Sequence, residues 1–430
     1  MTISGRAVLL AAVGLIPVVL WPGWGSLLGW AGLLAVVVLA DLLLAGSPRA
    51  LRVRREPVAT VRLGTATTAS FVLTNAGRRT VRGSLRDAWQ PSAGAALDRH
   101  PVDLPAGQSR RLVTTLSPTR RGDRRAGEVT VRSFGPLGVA ARQFSLPAPG
   151  TARVLPPFGS RKHLPSKLAQ LRELDGRTSL RVRGQGTEFD SLRDYVGGDD
   201  VRSIDWRATA RRGAVVVRTW RPERDRRVLL VLDTSRTSAA RVGDEPRLDA
   251  AMDAALLLAA LASRAGDRVD LLAMDRRVRA RVEGASRSDL LPRLVTAMAP
   301  VEADLVEADW PAIVSTVLSR TSQRALVVLL TSLEGAAIEE GLMPVIGQLC
   351  TRHRVVVASV ADPQMAAMAD GRGDAYAVYG AAAAGRAELD RTATTAELRR
   401  MGVDVVDASP EDLPPQLADR YLALKAAGLL

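Results

Sequence analysis

Residues 228–237 read Val-Leu-Leu-Val-Leu-Asp-Thr-Ser-Arg-Thr, five apolar residues running straight into Asp233 and a hydroxyl-rich loop. A strand buried on one face alternates apolar and polar side chains, whereas an unbroken apolar run belongs to a strand covered on both faces. Similar runs recur at 269–274, 325–330, 355–360 and 403–406, with helical patterns at 248–265, 288–298, 310–319, 341–353, 395–401 and 413–426. Strands alternating with helices predict an α/β fold, a doubly wound parallel sheet, over 228–430. Ligands of such sheets bind where loops leave the carboxyl ends of the strands, and 233–237 is such a loop.

Asp233, Ser235 and Thr237 stand at positions i, i+2 and i+4 of that loop. A loop can turn their oxygens to one side, and hard cations such as magnesium take oxygen ligands. The competing role is local, with Asp233 and Ser235 capping the following helix or binding loop amides. The acidic run Glu302, Asp304, Glu307 and Asp309 reads as a solvated loop. Cys350 lies among apolar neighbours and reads as a small buried hydrophobe. His100, His163 and His353 have no Cys or His at metal-ligand spacing, so a zinc site is not expected.

Upstream, residues 183–206 read Arg-Gly-Gln-Gly-Thr-Glu-Phe-Asp-Ser-Leu-Arg-Asp-Tyr-Val-Gly-Gly-Asp-Asp-Val-Arg-Ser-Ile-Asp-Trp. Through residue 227, the acids Glu188, Asp190, Asp194, Asp199, Asp200 and Asp205 interleave with Arg193, Arg202, Arg207, Arg211, Arg212 and Arg218, and Phe189, Tyr195, Trp206 and Trp220 sit among them. Arginine forks match carboxylates, so the segment is expected to be an ordered loop and short helix pinned by ion pairs, with 214–220 as an extra edge strand joining the sheet. Three roles stay open: a structural cuff on the sheet, a partner-recognition surface, or a catalytic carboxylate cluster. Catalysis lacks an accompanying His or Cys and a nucleophile elbow, so no enzyme is expected. Gly184-Gln-Gly186 is a lone Gly-x-Gly, and no phosphate loop is present, so any ATP energy would come from a partner.

The 183–206 stretch, with the strand and loop ending at Thr237, resembles the bacterial family catalogued as domain of unknown function 58. The 233–237 loop is similar to the metal-binding loop of von Willebrand factor A-type domains. The residues at 117–122 and 133–138 look like further family stretches. The resemblance implies a metal-ion-dependent adhesion site, with Asp233 acting directly or through water and Ser235 and Thr237 as direct ligands. It also asks for a Thr from a second loop and an Asp after a later strand. Here no Thr lies between Met298 and Trp310, and Ser332 stands where the Asp would fall, next to Glu334. The implied site is therefore degenerate, made of Asp233, Ser235, Thr237, Ser332 and Glu334, with at most weak binding of Mg2+ or another divalent cation. Members of the family are associated with MoxR-type AAA+ ATPases, which implies an adaptor or scaffold for such an ATPase in protein assembly or maturation. The partner-binding or structural residues would be Glu188, Phe189, Asp190, Arg193, Tyr195, Asp199, Asp200, Arg202, Asp205, Trp206 and Arg211.

Before the motif, 58–146 carries short strands with turn residues between them, which predicts a small β-sandwich. From residue 7 to 45 the only ionisable side chain is Asp41, and Trp21-Pro-Gly-Trp-Gly-Ser26 interrupts the apolar run. This predicts a transmembrane hairpin with legs at about 7–20 and 27–44. Arg6 precedes it, and Arg49, Arg52, Arg54 and Arg55 follow it, so both ends are expected in the cytoplasm. The expected division is a hairpin at 1–48, a β-sandwich at 49–150, a linker with the charged motif at 151–227, and the α/β domain at 228–430.

The formal charge of +14 is spread along the chain. An excess of this size supports an alternative function in binding an anionic polymer, nucleic acid or lipid. No recognition helix or stacking motif accompanies it, so nucleic acid is not the expected partner, and abundant arginine also fits an actinobacteria-like high-GC composition. A hydrolase is the remaining, weaker alternative. The leading expectation is a membrane-anchored cytoplasmic interaction protein.

Overall fold

A computed structural model describes residues 2–181, 188–221 and 226–430, with side chains described outside 175–191 and 219–225. The chain forms two compact units, 1–157 and 158–430.

The second unit is built on a six-stranded sheet in the order Val278–Val282, Arg268–Met274, Arg227–Asp233, Ala325–Leu330, Arg354–Val360, Asp404–Ala408. Five strands are parallel, and the edge strand Val278–Val282 is antiparallel to its neighbour. The α/β expectation therefore holds. The first strand lies in the middle; the chain builds outward on one side, then returns to the other. The crevice between Arg227–Asp233 and Ala325–Leu330 is thus the topological switch point, the place where open α/β sheets bind ligands.

Both faces of this sheet are covered. Leu229 and Val231 share a buried cluster with Trp310, Ile313, Ile346 and Leu349. Leu230 and Leu232 alternate to the opposite face, on which helix Arg247–Arg264 lies. That helix is buried almost all round, as its Ala- and Leu-rich composition requires. Helix Ala375–Arg400 is 26 residues long, of which sequence periodicity marked only the last turns. Its Ala-rich first half has no apolar stripe to reveal it.

Strand Val216–Arg221 corrects the edge-strand expectation. It pairs antiparallel with Glu188–Asp194 in a separate two-stranded sheet and does not join the central one. Helix Trp206–Arg212, capped by Asp205 through the amides of Arg207 and Ala208, lies within this hairpin.

The first unit holds two mainly antiparallel sheets. One contains Leu51–Arg55, Thr67–Asn75 and Ser109–Leu116, and the other is built on Arg99–Leu104, Val81–Trp89, Gly122–Phe134 and Ala140–Leu155. Phe71, Leu73 and Leu112 of the first share one core with Leu85, Val102, Val129 and Val131 of the second. The sheets are also joined by a buried ion pair, Arg55 to Asp87 at 2.5 Å. The same guanidinium lies over the rings of Phe71 and Trp89 at 5.4 and 5.1 Å.

The apolar N-terminal segment belongs to this unit, and its helix Trp24–Leu44 packs on strand Ala140–Leu155. Among the described residues one helix, Trp24–Leu44 with 21 residues, is long and apolar enough to cross a membrane. The expected first leg is two short helices, Gly5–Val13 and Leu15–Leu20, which falls short of a second demonstrated span. They meet at Gly14, where a Cβ would lie 2.0 Å from the Trp30 indole, so only glycine admits that ring.

Candidate functional site

The register Leu232 to Leu330 places the residues that follow, Asp233 and Thr331, side by side at the switch point. Asp233 is 2% exposed. Its Oδ1 accepts the Ser235 amide at 2.8 Å, and its Oδ2 accepts the hydroxyls of Thr237 at 3.1 Å and Thr331 at 2.7 Å. The Ser235 and Thr237 hydroxyls are themselves 3.1 Å apart. One carboxylate and three hydroxyls therefore converge. Burial pushes the Asp233 carboxyl above its usual range, against the opposing pull of Thr331, Ser235 and Thr237. Among the described residues no cationic side chain pairs with it.

These oxygens floor an open cleft of ≈ 260 Å³ whose walls include Arg236, Glu307, Trp310, Glu340 and Gly341. Gly341 is needed there, since a Cβ would come within 2.6 Å of the Trp310 ring. The acidic run does not float free in solvent. Thr234 accepts the Asp304 amide at 2.8 Å, and Val306 accepts the Arg236 amide at 2.9 Å. Glu307 pairs with Arg236 at 2.5 Å, and Asp309 caps helix Trp310–Arg320. A larger hollow of ≈ 360 Å³ lies beside Arg279 and residues 300–304. There Arg279 already holds both Asp275 at 2.6 Å and Asp304 at 2.5 Å.

Of the five expected metal residues, Asp233, Ser235 and Thr237 converge. Ser332 and Glu334 do not join them through any described contact. Both face Arg247, whose Nη1 donates to Ser332 at 3.1 Å and Glu334 at 2.6 Å. Thr331, one residue earlier, supplies the oxygen from the later strand instead. The signal that could have found it was the register, because residues at equivalent positions after adjacent parallel strands end up as neighbours. Among the described residues no group of three His, Cys, Asp or Glu could hold a metal. The oxygen set still fits a hard cation chemically, since a buried carboxylate without a counter-charge is the feature a cation would satisfy.

The charged motif is a module of its own. Arg193 grips Asp199 at 2.6 Å, Arg218 grips Asp205 at 2.8 Å, and Arg212 lies 3.9 Å from Asp194. The Ala208 amide, then Arg218, hold the Asp205 carboxyl below its ordinary range. Asp200 accepts the Arg202 amide, and Arg211 donates to the Arg207 carbonyl. Tyr195 pairs through its amide with Val215. Trp206 is 67% exposed, with exposed Val196 and Val201 in the same module. Glu188, Phe189 and Asp190 lie in the strand Glu188–Asp194, and their side chains fall outside the described ones. None of the described hydrogen bonds joins this module to the Asp233 cluster. Elsewhere, burial pushes the Cys350 thiol up and the His353 imidazole down.

The fold and site thus define a two-unit chain with an apolar N-terminal helix and an α/β unit that carries an oxygen-lined cleft at its switch point. Residues 191–403 match the family model described as "Protein of unknown function DUF58", the family that the sequence resembles. An uncharacterized protein of Mycobacterium tuberculosis is 26% identical over 186 residues, 43% of this chain and 57% of the relative. The chain thus spans just over half the length of the curated relatives it matches. Similar solved structures include the conserved hypothetical protein BatB from Bacteroides thetaiotaomicron, at 16% identity and TM-score 0.27, covering 47% of this chain and 99% of that one. The VWA domain of SpRpn10 is similar at 12% identity and TM-score 0.27, covering 45% and 94%.

Proposed function

We propose that the protein is a membrane-anchored cytoplasmic adaptor whose α/β unit, von Willebrand factor A-like, captures a carboxylate-bearing partner at the Asp233 cleft. The carrying observation is the Asp233 carboxylate, buried among hydroxyls at the switch point and, among the described residues, paired with no cationic side chain. Asp233, Ser235, Thr237 and Thr331 would hold a divalent cation such as Mg2+ weakly. One carboxylate leaves a doubly charged ion net positive, so a bound cation would supply electrostatic attraction for a partner's Asp or Glu. The partner is a MoxR-type AAA+ ATPase acting in protein assembly or maturation, and Trp206 with Arg202, Arg207 and Arg211 supplies a second anchoring surface. In this reading the two short helices and Trp24–Leu44 form a hairpin with both ends in the cytoplasm.

Co-purification from detergent extracts tests the reading. Recovery of the ATPase should fall sharply with Asp233→Ala, with Trp206→Ala, or when magnesium is chelated, while circular dichroism stays unchanged. Wild-type recovery by both folded variants would refute it. The charge of +14 and the exposed Trp206 beside arginines favour a second reading, binding to an anionic polymer. Salt-dependent heparin retention that Trp206→Ala weakens and Asp233→Ala leaves intact would favour that one.

A further inference from the structure

The one acid in the apolar N-terminal run is completely buried, although it sits in a helix read as crossing the bilayer. Intramembrane carboxylates usually mark a transport or proton site. Asp41 is occupied differently. Its Oδ1 accepts the Leu137 amide at 2.8 Å, and its Oδ2 accepts the amides of Val139 and Ala140 at 2.7 and 2.9 Å. Leu137 lies in the 133–138 stretch, in the turn between strands Gly122–Phe134 and Ala140–Leu155; Val139 ends that turn and Ala140 opens the second strand. A Cβ on Gly135 would lie 2.1 Å from Asp41 Oδ1, so the turn closes around the carboxylate only with glycine there.

The other end of the hairpin reaches the same turn. Thr2 and Ile3 pair with Ala141 and Ala140, the Ser4 hydroxyl donates to the Gly138 carbonyl at 2.7 Å, and Arg6 donates to the Leu137 carbonyl at 3.2 Å. From Trp24 to Ala40 no residue is buried, whereas Asp41, Leu42, Ala45, Gly46 and Pro48 all are. The free part of the helix is thus about 25 Å long at ~1.5 Å per residue, close to the hydrocarbon thickness. On the membrane reading of this helix the bilayer boundary falls at Asp41, with the turn at 135–138 beside it.

Three arginines from separate segments ring this exit. Arg79 donates to the Leu43 carbonyl, Arg6 sits on the turn, and Arg49 lies 5.3 Å from the Phe144 ring. All three are exposed, and among the described residues none forms an ion pair. Leu137, whose carbonyl accepts from Arg6, is 53% exposed in the same turn. We propose that Arg6, Arg49, Arg79 and Leu137 form a collar that seats the β unit directly on the bilayer, binding the phosphates of anionic phospholipids. Asp41 is the positioning residue that holds the collar against the helix. The inference rests on the membrane reading of Trp24–Leu44.

The test uses the full chain with Cys350→Ser, reconstituted in phosphatidylcholine vesicles with or without phosphatidylglycerol, and a fluorophore on Leu137→Cys or Leu97→Cys. Exposed Leu97 lies beyond Arg99, which pairs with Arg86, whereas the turn is level with Arg82. It is therefore roughly 20 Å from the collar at ~3.3 Å per residue. A headgroup-attached nitroxide should quench position 137 several-fold more than 97. Phosphatidylglycerol should increase quenching at 137, and Gln at all three arginines should abolish that increase while Lys at all three restores it. Equal quenching at 137 and 97 in protein that resists alkaline carbonate extraction overturns the collar and leaves the span intact. Protein that carbonate removes overturns both. A phosphatidylglycerol increment that the Gln variant keeps overturns the headgroup assignment.

Discussion

Asp233→Asn separates a cation site from a merely structural loop. Burying an ion costs several kcal/mol in a real protein. The three hydrogen bonds Asp233 accepts, each about 1.5–3 kcal/mol for a charged acceptor, offset a cost of that order. In the variant Oδ1 can keep the Ser235 amide, while the hydroxyls of Thr237 and Thr331 rotate to accept from the new NH2. Without metal the variant should therefore stay within about 1 kcal/mol of wild type at neutral pH. The pH dependence has a definite sign. Burial raises the folded-state pKa of Asp233 above 3.8, so this group's penalty is absent below that value, grows as pH rises through the folded pKa, and is constant above it. The variant should gain on wild type over that window. Magnesium at a hundredfold excess over Kd adds about 2.7 kcal/mol to wild type, or about 5–11 °C in Tm for a domain of this size, and should add almost nothing to the variant. Thermal melts of the soluble α/β unit with and without magnesium read this directly. An equal magnesium shift in both proteins would refute the assignment. So would a metal-free variant destabilised by several kcal/mol, which would make the carboxylate structural.

Thr331→Val removes one hydroxyl at nearly constant volume; calorimetry should show about tenfold weaker magnesium binding, equal to about 1.4 kcal/mol, and unchanged affinity would take Thr331 out of the site. Asp87→Ala leaves Arg55 buried without its carboxylate between the two sheets, so denaturant unfolding of the β unit should lose about 3–5 kcal/mol, and a loss under 1 kcal/mol would show that the Ala148 carbonyl and the Phe71 and Trp89 rings suffice to hold the arginine. Alkaline phosphatase inserted near Gly23 should be active and the same enzyme fused after Leu430 inactive; the reverse pattern would overturn the cytoplasmic placement.

The sequence by itself determined the central sheet, the Asp233 loop and the apolar N-terminal helix. Each follows from local chemistry: parallel strands covered on both faces must be apolar throughout, and a bilayer-spanning helix must be apolar along its length. The ion-paired character of 193–218 was legible too, because arginine and carboxylate at that density select each other. What the sequence left open depended on which segments meet. Strand Val216–Arg221 could pair with the sheet edge or with Glu188–Asp194, since an edge offers the same backbone groups to either and side chains do not mark the choice. The two short N-terminal helices looked like one leg because apolar composition does not record the break at Gly14. Thr331 rather than Ser332 joined Asp233 because parallel register, with Arg247 drawing Ser332 and Glu334 aside, decided which residue after the strand faced the switch point. Asp41 stood out as one acid in an apolar run, but only tertiary structure brought it the three amides that turn a costly buried charge into the clasp between helix and β unit.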